Sequence, residues 1–112
     1  MTGIDSSDPL IVRIAADDVI VVIGEIDLAG GSILEAAVAE HESERPVVLD
    51  LEAVAFVDSS GLRSLLGMRR RASERGTLVV LRNPSAEVLR LLEITGTGDQ
   101  FSIESGSESD AE

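Results

Sequence analysis

Three apolar runs in this chain, "VIVVIGEID" (19–27), "VVLDLE" (47–52) and "TLVVL" (77–81), are too short for helices and rich in branched residues. Each gives way, directly or after a second short apolar segment, to a stretch with helical spacing. Short buried strands alternating with helices constrain a chain strongly. Consecutive strands joined by a helix must lie parallel, and their helices pack on the sheet as right-handed crossovers. An α/β fold with a mixed sheet is therefore expected, not a bundle or a sandwich.

The elements follow from periodicity and punctuation. Pro9 opens "LIVRIAA", in which Leu10, Val12 and Ile14 alternate with Ile11, Arg13 and Ala15, the pattern of a half-exposed edge strand. Asp17-Asp18 turns the chain into the next strand, so the first two strands form an antiparallel hairpin. The near-continuous apolar run 19–23 predicts a strand covered on both faces. A helix is predicted over 29–42, with Ile33, Leu34, Ala37, Val38 and His41 as its stripe and Ser32 or the preceding glycines at its start. Pro46 bars its continuation. "VVLDLE" reads as a short strand and "VAFV" (54–57) as a separate one after a tight connection. From Ser59, residues Leu62, Leu65, Leu66 and Arg69 follow helical spacing, and Gly76 marks the end. "NPSAEVLRLLEITG" (83–96) predicts a helix with Asn83 as N-cap, Pro84 at the first position and Gly96 past the end. "QFSI" completes the sheet. The expectation is four to five strands and three to four helices in one domain over residues 9–103, with a flexible lead (1–8) and a disordered acidic tail (104–112).

Composition removes whole classes of function. There is no cysteine, so disulfides and thiolate chemistry are excluded together. The formal charge is −12, and removing the six acids of 1–8 and 104–112 still leaves about −6. All nine cations are Arg, and only Phe56 and Phe101 are aromatic. An acidic body without stacking surfaces argues against nucleic-acid binding. No stretch has the length of a membrane span, and acids stand where a signal peptide carries positive charge. A cytoplasmic protein without membrane attachment is expected.

Candidate catalytic groups find no companions. His41 is the only histidine, and reads as a partly buried helix residue, not a ligand or base. "TGTGD" (95–99) follows a helix instead of opening one, so it is a loop and no phosphate cradle. Asp50, placed near a strand end, stands where a phosphoacceptor aspartate would, but that chemistry uses a nearby lysine with its acid cluster and the chain has no lysine, so a structural residue is the reading. Arg69, Arg70 and Arg71 project about 100° apart on a helix and form no single patch. "GxSxG" is absent. No enzyme, cofactor or metal site is expected.

One motif remains. "VAFVDSSGLRSLL" (54–66) runs an apolar strand into three small polar residues, a glycine and a helix. Asp58 or Ser59 can cap that helix. A hydroxyl in its first turn is also exposed at the positive end of the helix dipole, where a phosphate is tolerated and adds nearly two negative charges to its surroundings. Gly61 keeps the turn uncluttered. Capping chemistry alone does not distinguish Ser59 from Ser60 as acceptor.

"GEID" (24–27), "VVLDLEAVAFVDSSGLRSLL" (47–66) and "NPSAEVLRLLEITG" (83–96), in that order, resemble a STAS domain, and more narrowly a stand-alone bacterial anti-sigma factor antagonist. The resemblance spans residues 10–103. It implies a protein that binds an anti-sigma factor which is also a GHKL-type serine kinase, and so frees the sigma factor. It further implies that phosphorylation of the serine after the motif aspartate, Ser59, ends binding and that a PPM-type serine phosphatase restores it. Asp27, Asp58, Ser59, Ser60, Gly61 and Arg63 fall on the implied partner face, in a monomer or weak dimer. Thr97-Gly98 departs from the family's apolar continuation after "LLEITG", which implies looser packing of the last helix or an altered partner contact. The competing expectation keeps the fold but makes the domain a small-ligand or nucleotide-binding module without a phospho-switch.

Overall fold

A computed structural model describes residues 10–105. The lead 1–8 and all but the first two residues of the tail lie outside them. The order is β1 (Leu10–Ile14), β2 (Ile20–Ile26), α1 (Leu28–Ala39), β3 (Val47–Val57), α2 (Ser59–Glu74), β4 (Val79–Arg82), α3 (Ala86–Thr95), a 3-10 turn (Gly98–Gln100) and β5 (Ser102–Glu104). The strands lie in the sheet in chain order, β1-β2-β3-β4-β5. β1 pairs antiparallel with β2, and every later pair is parallel. The expected mixed α/β sheet with an antiparallel edge hairpin is the observed fold.

The core is almost wholly branched aliphatic. Val22 and Ile26 from β2, Leu49 and Leu51 from β3, Leu81 from β4, Leu34 from α1 and Leu65 from α2 are essentially sealed from solvent. α1 and α2 pack against one another and against the sheet, while α3 packs on β3. Along β3, β4 reaches only Val47–Asp50, so the second half of β3 runs on beyond it toward the site.

β3 corrects the sequence reading. Residues 47–57 form one strand of 11 residues, not two segments with a connection. The register against β2 slips between Val21 and Ile23 and again between Gly24 and Glu25, each slip placing an extra residue on β3. These bulges interrupt the alternation that was read as a break. Asp50 lies inside the strand, not near its end, and its Oδ1 accepts the Glu52 amide at 3.1 Å beside the first bulge. Gly24 sits at the second with φ 114°, a conformation that favours glycine.

Other boundaries shift for physical reasons. α1 begins at Leu28, so Gly30 and Gly31 lie inside its first turn and Ser32 does not cap it. The helix ends at Ala39, which leaves His41 exposed in the following turn, not part-buried on a helical stripe. Asn83 has φ 52° and donates its amide to the Glu104 carbonyl at 2.7 Å, so it turns the chain off β4 and cannot cap. Ser85 caps α3 instead, accepting from Val88 N at 3.4 Å, and Pro84 precedes the helix. β2 is buried along one face and only half-covered along the other. After "LLEITG", Thr97 N donates to the Leu92 carbonyl at 3.1 Å and closes the end of α3. Glu104, the first residue assigned to the tail, is the last of β5.

Candidate functional site

Two helices start at the carboxyl ends of adjacent parallel strands, and both start in the same way. Asp27 follows β2 and caps α1, its Oδ1 accepting from Gly30 N at 2.8 Å. Asp58 follows β3 and caps α2, its Oδ1 accepting from Gly61 N at 3.0 Å. Each is Asp-x-x-Gly with the carboxylate closing the third amide of the helix, the ordinary N-cap arrangement. Ile26 and Val57 are register partners, and Asp58 N donates onward to the Ile26 carbonyl at 3.4 Å. The two capping carboxylates therefore stand side by side at the end of the sheet.

The glycines fix how close the helices come. A Cβ on Gly61 would lie 1.8 Å from the Ile26 carbonyl oxygen, and one on Gly30 would lie 2.1 Å from that of Glu25. A Cβ on Gly31 would meet Ser64 Oγ of α2 at 2.4 Å. Both first turns are thus seated directly on the strand ends and on one another.

On this platform Ser59 is the first residue of α2 and is exposed, whereas Ser60, the second, is half-buried. The amides of a helix's first turn have no intrahelical partner, and neither α1 nor α2 has an acid in that turn to complement the dipole. Ser59 is therefore a presented hydroxyl at a helix N-terminus, directly after the Asp58 cap and at the same sheet end as Asp27. Ser60 is the less accessible rival.

Nothing here activates that hydroxyl from within. His41 lies past the far end of α1, a 12-residue helix spanning about 18 Å, and cannot reach Ser59. Asp27, Asp58, Ser59, Ser60 and Gly61 converge at the sheet end. Arg63 points one turn further along, into the groove between α1 and α2. Of the consecutive arginines, Arg70 and Arg71 line that same groove, so two of the three share a surface despite their angular separation.

The STAS domain family model matches residues 10–109. The chain belongs to the STAS domain family. It is 32% identical over 88 residues to the anti-sigma-B factor antagonist of Bacillus subtilis, covering 78% of this chain and 81% of that protein. It is 34% identical over 86 residues to the anti-sigma-B factor antagonist of Listeria monocytogenes, covering 75% of each. The anti-sigma factor antagonist SpoIIAA in its unphosphorylated form superposes with a TM-score of 0.67 at 21% identity, covering 90% of this chain and 92% of that one. The phosphorylated form of the Bacillus cell fate determinant SpoIIAA gives 0.62 at 19% identity, over 91% and 96%. These last likenesses establish the fold. Among the described residues, no helix is long and apolar enough to cross a membrane.

Leu28 escaped the sequence reading. It is the first residue of α1, directly after Asp27, and 73% exposed, as bare as any large apolar side chain in the described structure. Its signal was available: it follows a capping aspartate at the same position as Ser59 after Asp58. The repeated Asp-x-x-Gly spacing, which makes Gly30 the counterpart of Gly61, was equally legible.

Proposed function

We propose that this protein is an anti-sigma factor antagonist. It binds a GHKL-type anti-sigma factor and serine kinase at the sheet end and so frees a sigma factor; phosphorylation of Ser59 ends the complex and a PPM-type phosphatase restores it. The observation that carries the reading is the exposed Ser59 at the first position of α2, directly after the Asp58 cap and at the same sheet end as the Asp27 cap. Two relatives bear the name anti-sigma-B factor antagonist, and a fold relative has been solved in a phosphorylated form.

The electrostatics suit an off-switch. Phosphorylation transfers a phosphoryl group from ATP, held by the kinase, to Ser59 Oγ, with ADP and the hydroxyl proton leaving. It puts nearly two further charges beside two carboxylates in a chain already at −12. A close-packed partner must then desolvate or repel that charge. Leu28 supplies an exposed apolar contact on the same face. The protein acts through protein contacts in the cytoplasm, without nucleic acid or membrane, as a monomer or weak dimer and with no catalytic group of its own.

The test is intact mass with site-mapped fragmentation of the protein from its host, together with recovery of co-purifying partners. One phosphate on Ser59 and a co-purifying kinase are expected. An unmodified serine under several growth conditions, with no kinase recovered, would overturn the reading in favour of a small-ligand module.

A further inference from the structure

The groove between α1 and α2 shares only Arg63 with the expected partner face, and its chemistry is unusual for this chain. It holds about 240 Å3 and gathers four of the nine arginines, Arg63, Arg70, Arg71 and Arg75, against two acids, Glu35 and Glu42. Everywhere else acids predominate.

Two of these guanidinium groups are held in place. Arg71 is bonded to Glu42 through both Nε, at 3.1 Å, and Nη2. Arg75 Nη1 lies 3.3 Å from Glu42 Oε1, and its Nε donates to the Ser43 carbonyl at 3.1 Å. Among the described residues Arg63 and Arg70 have no ion partner. If the groove served only to tie the two helices, Arg71, Arg75 and Glu42 would suffice.

Gly67 is the second observation. Arg63, Gly67 and Arg71 on α2 and Arg75 at its C-cap succeed one another at four-residue spacing, and Gly67 is the gap in the stripe. Glycine weakens a helix interior relative to alanine. Unlike Gly30, Gly31 and Gly61, Gly67 has no close neighbour that excludes a side chain: a Cβ there meets nothing within 4 Å. Packing does not account for it, whereas an occupant of the groove does.

We infer that the groove between α1 and α2 is a binding site for a small phosphate-class dianion, contacted by Arg63 and Arg70 with the preset Arg71 beside them, all three within about one turn of Gly67 on α2. Guanidinium forks match the paired oxygens of a phosphate, and four of them outweigh the two carboxylates present. Gly67 leaves the opening through which the anion enters. This inference does not depend on Ser59.

The experiment is an amide-resolved NMR titration of the full chain with inorganic phosphate, against chloride at matched ionic strength. Saturable shifts confined to residues 35–42 and 63–75 are expected with phosphate and not with chloride. Arg70→Ala weakens binding by about tenfold, the loss of a charge-assisted bond. Gly67→Leu abolishes binding while the melting temperature holds or rises. Glu42→Gln tightens it by releasing Arg71 and Arg75, whereas a merely structural network has no binding to tighten. Shifts that follow ionic strength alone, or binding indifferent to both Arg70→Ala and Gly67→Leu, would overturn the inference.

Discussion

The α-carbon of Gly61 rests on the carbonyl of Ile26, so close that an added Cβ would stand 1.8 Å from the oxygen and 2.7 Å from its carbon. Because the obstacle is backbone at the end of a buried strand, no rotamer relieves it. Gly61→Ala must push the start of α2 off β2, an overpacking expected to cost about 1–3 kcal/mol or more. Denaturant unfolding checks this, and Gly67→Ala on the same helix is the contrast: with open space around it, it is expected to leave stability unchanged or higher.

Asp58 contributes a cap and a charge, and these can be separated. Asp58→Ala removes the acceptor for Gly61 N and is expected to lower stability by about 1 kcal/mol, whereas Asp58→Asn keeps an acceptor and stays near the parent. Partner affinity measured on the asparagine variant then reports the charge alone. Asp27, with the same bond to Gly30 N, is expected to follow the same pattern.

Ser59→Ala and Ser59→Asp should be indistinguishable in fold, within about 0.5 kcal/mol, because the side chain is exposed and the cap is Asp58. In binding they should part. The alanine variant holds the anti-sigma partner constitutively and the aspartate variant holds it weakly. Equal affinities in a calorimetric comparison would sink the switch while leaving the fold untouched.

Leu28 is expected to act as an apolar anchor for the partner. Leu28→Ala should weaken the complex by about tenfold or more while leaving the melting temperature nearly unchanged, since the side chain covers little of its own protein. Pull-down and calorimetry with the co-purified partner, run beside Ser59→Ala, check it.

The carboxyl of Glu42 is held below its ordinary value, chiefly by the hydrogen bond from Arg71, with the charges of Arg71 and Arg75 adding and desolvation opposing. A lowered folded-state pKa contributes stability that is present above the unfolded value near 4.5 and is lost as pH falls through the folded value. The stability gap between the parent and Glu42→Gln should therefore be open at neutral pH and close in acid. It should also shrink with salt, because the pair is exposed. A gap independent of pH would show that Glu42 ties the helices by shape alone.

Chain-local signals carried much of this protein. The alternation of short apolar runs and helical stripes specified the strand and helix order and the parallel sheet with its antiparallel hairpin. Gly76 and Gly96, both at positive φ, mark the ends of α2 and α3 as read. The start of α2 was recognisable, with Asp58 or Ser59 as its cap, because capping depends only on neighbours along the chain; that Asp58 caps and Ser59 is the more exposed serine came from the structure.

What the sequence did not disclose lies between segments. The two bulges of β3, the use of Asn83 as a turn residue and the capping by Ser85 follow from register against β2 and from the bond to Glu104, partners remote in sequence. Gly30, Gly31 and Gly61 resemble loop glycines until the strand carbonyls and Ser64 close on them. Arg63, Arg70, Arg71 and Arg75 became one surface only when α1 came to lie along α2. Periodicity and caps are set within a few residues, and the sequence determined those. Close approach, register and the pooling of charge are set by elements meeting in space, and the tertiary structure alone decided them.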